Sequence, residues 1–467
     1  MIFSSITFLY YFLPVVLILY FIVPKKLKNY ILLISSLIFY GWGEPKYILL
    51  VLLSILVNFI LGLLIERCTG TKKAKFWLLL SVIFSLTMLG YFKYADFFIE
   101  NFNTITELSL PVLNIALPIG ISFYTFQILS YTIDIYYKRI KAQKNIIYFA
   151  TYVVLFPQLI AGPIVRYIDV AAALENRRHS IEKCRCGMRR FLFGLAKKVL
   201  IANALGELCS IFLKTDEKTV LFYWIYAIAF TLQIYFDFSG YSDMAIGLGK
   251  IFAFDFPENF NYPYISTSIT EFWRRWHISL STWFRDYVYI PLGGNRVSKL
   301  RWLMNILVVW MLTGLWHGAA WNFILWGILF ALLLINEKLW FGKILTRLPK
   351  FISHFYVIFF VVISFVIFNA PDLGEAIGRI SSMLGMEDIP VTGIQTLYYL
   401  RSYAGVLILA IVGCTPLPKI CAKRINKTRI GNVILSIAEP VVCIVLLLVI
   451  SAYLIDGSYN PFLYFRF

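Results

Sequence analysis

Histidine side chains are the first candidates for chemistry in this sequence. The sequence has four of them, His179, His277, His317 and His354. His317 lies in an apolar run in which no Lys, Arg, Asp or Glu occurs from Trp302 through Asn336. Loss of water in such a run favours the neutral imidazole, which can accept a proton near pH 7. Gly314 and Gly318 flank His317 and would allow a second chain segment or a substrate to approach closely.

A purely structural role for His317 is the alternative. Its imidazole could hydrogen-bond between helices and hold them together. Ionisable residues inside apolar membrane segments usually mark functional sites, because burying them is costly. We therefore favour a chemical role for His317.

His277 lies in a segment with helical periodicity. Apolar and aromatic residues recur at three- and four-residue intervals, and these are Trp273, Trp276, His277, Leu280, Trp283, Phe284, Tyr287 and Val288. This spacing predicts one amphipathic helix at the cytoplasmic membrane interface, ended by Pro291 and the Gly293-Gly294 pair. His277 would lie on its aromatic face. The pattern alone does not separate a catalytic His from an interfacial His beside anchoring Trp rings.

Other polar residues favour structural explanations. Asp237, Ser239 and Asp243 could form a nucleophile or metal cluster, but capping and hydrogen bonding in a turn-rich segment over 240–264 explain them equally well. Cys184 and Cys186 are too close together for the usual structural zinc spacing. We predict no metal site. His179 is expected to be solvated in a basic loop, and His354 to open a membrane span.

Composition indicates an all-α polytopic membrane protein. Of the 467 residues, 60% are hydrophobic and 15% are charged, and the mean hydropathy is +0.77. A soluble domain could not expose so much apolar surface, whereas recurrent apolar runs of about 20 residues suit membrane helices. We predict a single membrane domain over 1–467 with roughly ten or more helical segments.

The net charge of +18 reflects membrane topology rather than nucleic-acid binding. Lys and Arg lie in short loops between apolar runs, as the positive-inside rule requires. Loops at 25–28, 67–75 and 138–144 would all be cytoplasmic if Leu113 to Tyr137 crosses the membrane. The run from Ile146 to Ile160 is interrupted by Pro157, and we expect a re-entrant hairpin there.

Four stretches resemble the membrane-bound O-acyltransferase family, in particular its bacterial branch typified by the alginate O-acetylation membrane protein. They are Phe123 to Gln127, Phe156 to Ile164, Trp273 to Gly294 and Thr313 to Gly318. The resemblance extends over the whole chain. It implies a ring of roughly ten or more transmembrane and re-entrant helices around a central acyl-transfer tunnel.

The resemblance also assigns roles to residues. His317 matches the family's catalytic His, and His277 matches a second His typical of this branch. Asn322 would help to polarise or orient the acyl carbonyl. The residues Trp316, Arg285 and Asp286, within the two motifs, are further supporting candidates. The terminal segment Asn460 to Phe467 resembles aromatic tails of related systems, so Tyr464 is a candidate acyl relay, with membrane anchoring as the alternative.

The function expected from these residues is O-acyl transfer. The resemblance implies an acyl group, most simply acetyl, moving from a cytoplasmic thioester such as acetyl-CoA to a cell-surface polysaccharide. Transfer would be direct or through an exported acetyltransferase partner, in the cell (plasma or inner) membrane and without a bound cofactor. D-alanyl transfer to teichoic acid is the alternative within the family. A transporter or flippase is the alternative outside it, although no paired broken helices suggest inverted repeats.

Overall fold

The computed structural model describes residues 1–160, 162–457 and 460, and these residues form helices and connecting loops without β-strands. Seven helices in this part of the chain are long and apolar enough to cross a membrane. A shorter apolar helix covers Thr7–Ile22. The predicted all-α membrane class is therefore confirmed.

The chain divides into two units. The first comprises Met1–Phe191 and Met244–Glu258. Its α-helices, numbered α1 to α9 in chain order, are Leu13–Ile22, Lys28–Gly43, Ile48–Arg67, Lys72–Thr106, Ile121–Tyr136, Ile146–Val154, Phe156–Leu159, Tyr167–Glu175 and Ile181–Ala196, of which α9 continues into the second unit.

The second unit comprises Leu192–Asp243 and Asn259–Phe467. Its α-helices are α10 Asn203–Lys214, α11 Val220–Ile251, α12 Ile269–Arg275, α13 Ile278–Phe284, α14 Lys299–His317, α15 Trp321–Asn336, α16 Gly342–Leu345, α17 Lys350–Asn369, α18 Leu373–Met383, α19 Ile394–Gly413, α20 Leu417–Asn426 and α21 Arg429–Ile455, and the end of α11 belongs to the first unit. The prediction of a single domain stays a prediction.

The apolar helices differ in how much of their surface the chain itself covers. Only 6% of the most apolar stretch of α21 is buried, and 17% of that of α19. The corresponding share of α11 is 72%. Side chains on α19 and α21 therefore need an apolar solvent such as lipid, whereas those of α11 are mostly covered by protein.

Two element predictions are wrong. The expected span from Leu113 to Tyr137 is helical only from Ile121. Asp96 accepts hydrogen bonds from the backbone N–H groups of Leu113 and Ile115, and Asn114 between them has φ 51°, so this stretch is not helical. The expected turn-rich segment over 240–264 is helical through Ile251. Asp237, Ser239 and Asp243 are thus within α11 and do not cap a helix.

A buried ion pair explains how α11 accommodates Asp237. The Lys198 Nζ lies 2.6 Å from Asp237 Oδ1, with the two side chains 3% and 2% exposed. Lys198 belongs to a π-helical turn, Lys197–Ala202, between α9 and α10. The adjacent Lys197 pairs with Asp243 at 2.7 Å, but these side chains are 29% and 19% exposed.

Removal of one member of the buried pair should strongly destabilise the second unit. We expect Lys198→Met to cost about 3 kcal/mol, because it leaves a buried carboxylate without its cation. Lys197→Met should cost about 1 kcal/mol or less, because that pair is partly exposed. Thermal unfolding followed by tryptophan fluorescence in detergent measures both. Equal losses would contradict this account, and Lys198→Met/Asp237→Leu should recover most of the loss.

Candidate active site

His277 lies at a break between two short helices, so the predicted continuous amphipathic helix is wrong. Ser268 caps the start of α12, Ile269–Arg275, because its side chain accepts from Glu271 N–H at 3.0 Å, and Trp276 follows the last helical residue. His277 has φ 43° and ψ 54°, the left-handed conformation, and α13 follows. A non-glycine residue held there costs about 1 kcal/mol or more. Other contacts must therefore hold the break in place.

Hydrogen bonds from the segment 259–261 supply those contacts. The backbone N–H of Ile278 donates to the Asn259 carbonyl at 3.0 Å, and the N–H of Asn261 donates to the Arg275 carbonyl at 2.9 Å. These bonds satisfy backbone groups that a continuous helix would have paired internally. The break is thus a consequence of tertiary contact, which helical periodicity does not report.

The Asn259 side chain fixes the orientation of the His277 ring. Its Oδ1 accepts from the backbone N–H of Ser279 at 3.2 Å and from the Ser279 hydroxyl at 2.9 Å, while its Nδ2 donates to Ser242 Oγ at 3.1 Å. Because a backbone N–H can only donate, the atom facing it is the amide oxygen. His277 Nδ1 is 3.1 Å from the same oxygen and therefore carries the hydrogen. The lone pair of the neutral ring is consequently on Nε2.

The surroundings of His277 favour the neutral imidazole. The residue is 1% exposed, and its ring contacts Phe238 with a centroid separation of 4.7 Å. Burial removes the hydration that the charged imidazolium needs, which favours the neutral ring. Its Nε2 is buried without a hydrogen-bond partner among the residues that the structure describes. This atom can accept a proton from a substrate or from a neighbouring group.

His317 terminates α14 and is buried among aromatic rings. It is 5% exposed. Ring centroids of Trp316, Trp326 and Phe368 are 5.0, 5.2 and 5.3 Å from that of the imidazole. The chain becomes extended at Gly318 before α15 begins at Trp321. The water-poor environment that the apolar run predicts for His317 is found.

Glycines bring α14 and α15 together around His317. A Cβ on Gly314 would lie 2.3 Å from the Phe323 carbonyl oxygen, and one on Gly318 would lie 2.1 Å from the Phe323 ring. On α15, a Cβ on Gly327 would lie 2.3 Å from the Trp310 carbonyl oxygen. The close approach that the flanking glycines predict is thus made by another segment of the chain.

Trp316 links the two imidazoles. Its ring centroid is 5.0 Å from that of His317 and 5.8 Å from that of His277. The two motifs, 40 residues apart in the sequence, therefore meet at one aromatic side chain.

The other supporting candidates occupy different positions. Asn322 Nδ2 donates to the carbonyl groups of Phe368 and Ala370 at 3.3 and 2.9 Å, and its Oδ1 is buried without a hydrogen-bond partner among the described residues. Arg285 and Asp286 form an ion pair at 2.7 Å on a π-helical turn, Arg285–Tyr289, and the Arg285 side chain is 60% exposed. Their roles stay predictions. Tyr464 lies outside the described residues.

The other two histidines, His354 and His179, lie outside the candidate site. His354 lies in the first turn of the apolar helix α17, as predicted, with Nδ1 3.2 Å from the Ser266 carbonyl oxygen. His179 is exposed, but its ring nitrogen also contacts Tyr20 and Lys28, so it is not simply solvated.

Sequence reasoning missed Asn259. It lies 18 residues before His277 in a loop, and neither spacing nor periodicity connects the two. The only signal is an Asn in a polar loop between apolar segments, which is common. Its role depends on the tertiary contacts of its amide.

These features are those of a membrane-embedded acyltransferase, and the comparisons with known proteins agree. The family model of MBOAT, the membrane-bound O-acyltransferase family, matches residues 136–373, which include both histidines. The chain belongs to this family. It is accordingly a multi-pass membrane protein and an O-acyltransferase.

Individual relatives of the chain are named as acetyltransferases or as a D-alanyltransferase. The chain is 40% identical to the Pseudomonas putida protein named "Probable alginate O-acetylase AlgI", over the full length of both chains. It is 34% identical to the Helicobacter pylori "Peptidoglycan O-acetyltransferase", covering 83% of this chain and 81% of the relative. It is 30% identical to the Bacillus subtilis "Teichoic acid D-alanyltransferase", covering 48% of this chain and 60% of the relative.

Replacement of Asn259 should change the pH dependence of acyl transfer if this residue positions His277. In Asn259→Asp, the carboxylate would stabilise the imidazolium and raise the pKa of His277, so the acid limb of the activity profile should move to higher pH. Asn259→Ala should lower kcat about 100-fold, since the ring loses its fixed orientation. Initial rates across pH in detergent-solubilised membranes measure both effects.

Asn261→Ala is the matched control, because only the backbone of Asn261 bonds to Arg275. This variant should retain the wild-type rate and profile. An Asn259→Asp profile with an unmoved acid limb would show that Asn259 has only a structural role.

Proposed function

We propose that this protein transfers an acetyl group from a cytoplasmic thioester, with acetyl-CoA as the expected donor, to a hydroxyl group of a cell-surface polysaccharide. The observation that carries the proposal is the meeting of His277 and His317 at Trp316, within the family match. Two buried neutral imidazoles and little water suit proton transfer during acyl exchange and disfavour hydrolysis.

His317 is the proposed general base. Its imidazole takes the proton of the hydroxyl whose oxygen attacks the thioester carbonyl carbon, either that of the polysaccharide or that of the proposed relay Tyr464. A carbon–oxygen bond forms, the carbon–sulfur bond breaks, and the imidazolium returns the proton to the thiolate, which leaves as the free thiol. The aromatic rings around His317 hold it in place and keep bulk water away from the thioester.

His277 is the proposed second catalytic imidazole. Asn259 keeps its Nδ1 protonated, so Nε2 can accept a proton or a hydrogen bond near the reacting groups. Trp316 is proposed to separate and orient the two rings. Asn322 would orient the acyl group through Oδ1, and Arg285 with Asp286 would support the π-helical turn that follows α13.

The proposed setting is the cytoplasmic (inner) membrane. A single domain over 1–467, with ten or more transmembrane and re-entrant helices in a ring, would surround a tunnel joining donor and acceptor sides. The broken helices around Leu155 and His277 support re-entrant segments, because backbone breaks at membrane depth require protein or a cavity around them. No bound cofactor is required by this chemistry.

Acetyl transfer is favoured over D-alanyl transfer. The relatives named for acetyl transfer match 80% to 100% of this chain, whereas the D-alanyltransferase matches 48%. The polysaccharide could receive the acetyl group directly or through an exported acetyltransferase partner. A transporter or flippase would have no need of two buried imidazoles at a family acyltransferase motif.

His317→Gln should lower polysaccharide acetylation by about 100-fold or more, since the general base is lost while most of the ring volume is kept. The measurement is base-released acetate from surface polymer, normalised to the amount of protein in the membrane. His354→Gln is the matched control and should retain acetylation, because His354 lies at the start of α17 with a backbone contact. Unchanged acetylation in His317→Gln would refute the proposed base.

Tyr464 is the proposed acyl relay. Its hydroxyl would accept the acetyl group from the thioester, releasing the thiol, and then pass it to the acceptor. Tyr464→Phe should therefore abolish transfer while leaving membrane insertion intact, whereas a membrane anchor would tolerate Phe. Acetylation at the wild-type level in Tyr464→Phe would end the relay proposal without affecting that for His317.

A further inference from the structure

A cationic cluster in the first unit has no part in the proposed chemistry. We call it the Lys28 cluster, and it consists of Tyr20, Lys28, Asn29, Arg177 and His179. Lys28 Nζ lies 3.2 Å from His179 Nε2, and Arg177 Nη1 lies 3.3 Å from the Tyr20 hydroxyl. The other arm of Arg177 donates to the Asn29 side-chain oxygen. Lys28 is 9% exposed and Asn29 is 3% exposed.

The acceptors in the Lys28 cluster are all neutral. Among the described residues, neither Lys28 nor Arg177 has a carboxylate within ion-pair distance, and their partners are a hydroxyl, an amide, an imidazole and aromatic faces. The charged side chains that act on Lys28 are Arg177 and Lys25, which have the same sign as Lys28 itself. Two cations held together in this way repel one another.

Three other cations of the unit pair with acids. Arg139 bonds to Asp134 at 2.9 Å, Lys183 bonds to Asp255 at 2.7 Å, and Arg190 bonds to Glu258. These basic side chains are 22% to 44% exposed, so they could rely on water more readily than Lys28 can. Lys28, only 9% exposed, has no such counter-charge within ion-pair distance among the described residues.

His179 contributes a hydrogen-bond acceptor and an exposed side chain to the Lys28 cluster. Burial, together with Lys28 and Arg177, lowers the pKa of His179 to about 4, so the ring is neutral at pH 7 and Nε2 can accept from Lys28. His179 is exposed, which connects the cluster to the surroundings of the protein. Two fixed positive charges therefore remain beside an accessible side chain.

We propose that the Lys28 cluster binds a phosphate-type anion. Lys28 Nζ has donors beyond the one directed at His179, and the guanidinium of Arg177 matches the geometry of phosphate oxygens. The anion would supply the counter-charge that the chain does not. The site is separate in sequence and in unit from both catalytic histidines, and it does not depend on the proposed acyl transfer.

Two sources of phosphate fit this chemistry. Lys28 follows the apolar helical segment Thr7–Ile22, whose Phe21 and Ile22 are 48% and 76% exposed and suit contact with lipid. The headgroup of an anionic phospholipid could therefore reach the cluster. A soluble compound with a phosphate group could approach from the cytoplasmic side, where the positive-inside rule puts Lys25, Lys26 and Lys28.

Thermal unfolding of the full-length protein, followed by tryptophan fluorescence, tests the site. One arm uses neutral detergent with 5 mM inorganic pyrophosphate against sodium chloride of equal ionic strength. The other uses nanodiscs of phosphatidylcholine with and without one-fifth phosphatidylglycerol. We expect the unfolding midpoint to rise by several degrees in at least one arm, and the responding arm identifies the source.

The variant Lys28→Met distinguishes an anion-binding role of Lys28 from a purely structural role. Removal of one of two mutually repelling cations should leave the midpoint equal or higher without the anion, while abolishing the rise that the anion causes. A structural lysine would instead lower the midpoint under every condition. Arg177→Gln should likewise lose the anion-dependent rise.

The matched control is Lys72→Gln/Lys73→Gln, which removes two exposed cations at the start of α4. It should keep the full anion-dependent rise. The proposal is overturned if neither pyrophosphate nor phosphatidylglycerol stabilises the wild type beyond its control. It is also overturned if Lys28→Met retains the rise, or if the Lys72→Gln/Lys73→Gln variant loses it equally.

Discussion

The hydrogen bonds of Asn259 are the constraint on which the arrangement of the candidate site depends. Its backbone carbonyl accepts from Ile278, and its side chain accepts from both Ser279 and His277. Together these bonds hold His277 in a left-handed conformation that a continuous helix would exclude. Ring orientation and the choice of the protonated nitrogen both follow from that one residue.

Burial determines the charge state of the two imidazoles. His277 and His317 are 1% and 5% exposed, and aromatic rings pack against both. A neutral imidazole is favoured in such a place because the charged form loses its hydration. In the proposed function, the same exclusion of water would protect the thioester. At His277, desolvation and ring orientation act on the same side chain.

Buried cations occur in two different surroundings in this protein. The pair of Lys198 and Asp237 is complete within the protein, at 2.6 Å and almost without exposure. The Lys28 cluster has cations and neutral acceptors but no carboxylate among the described residues. The Lys198–Asp237 pair stabilises the fold by itself, because its opposite charges compensate one another. The Lys28 cluster would need an external anion to compensate its positive charge.

Hydropathy and glycine spacing are local properties, so the membrane class, the apolar environment of His317 and the close helix approach at Gly314 and Gly318 could be predicted from the amino-acid sequence. The break at His277 could not, since its bonds come from residues 259–261, which are remote in sequence. The tertiary structure also decided that Asp237 lies within α11, because the compensating Lys198 comes from another helical segment. Local periodicity cannot report a partner that is distant along the chain. For that reason the candidate histidines were predictable, whereas the residue that orients one of them was not.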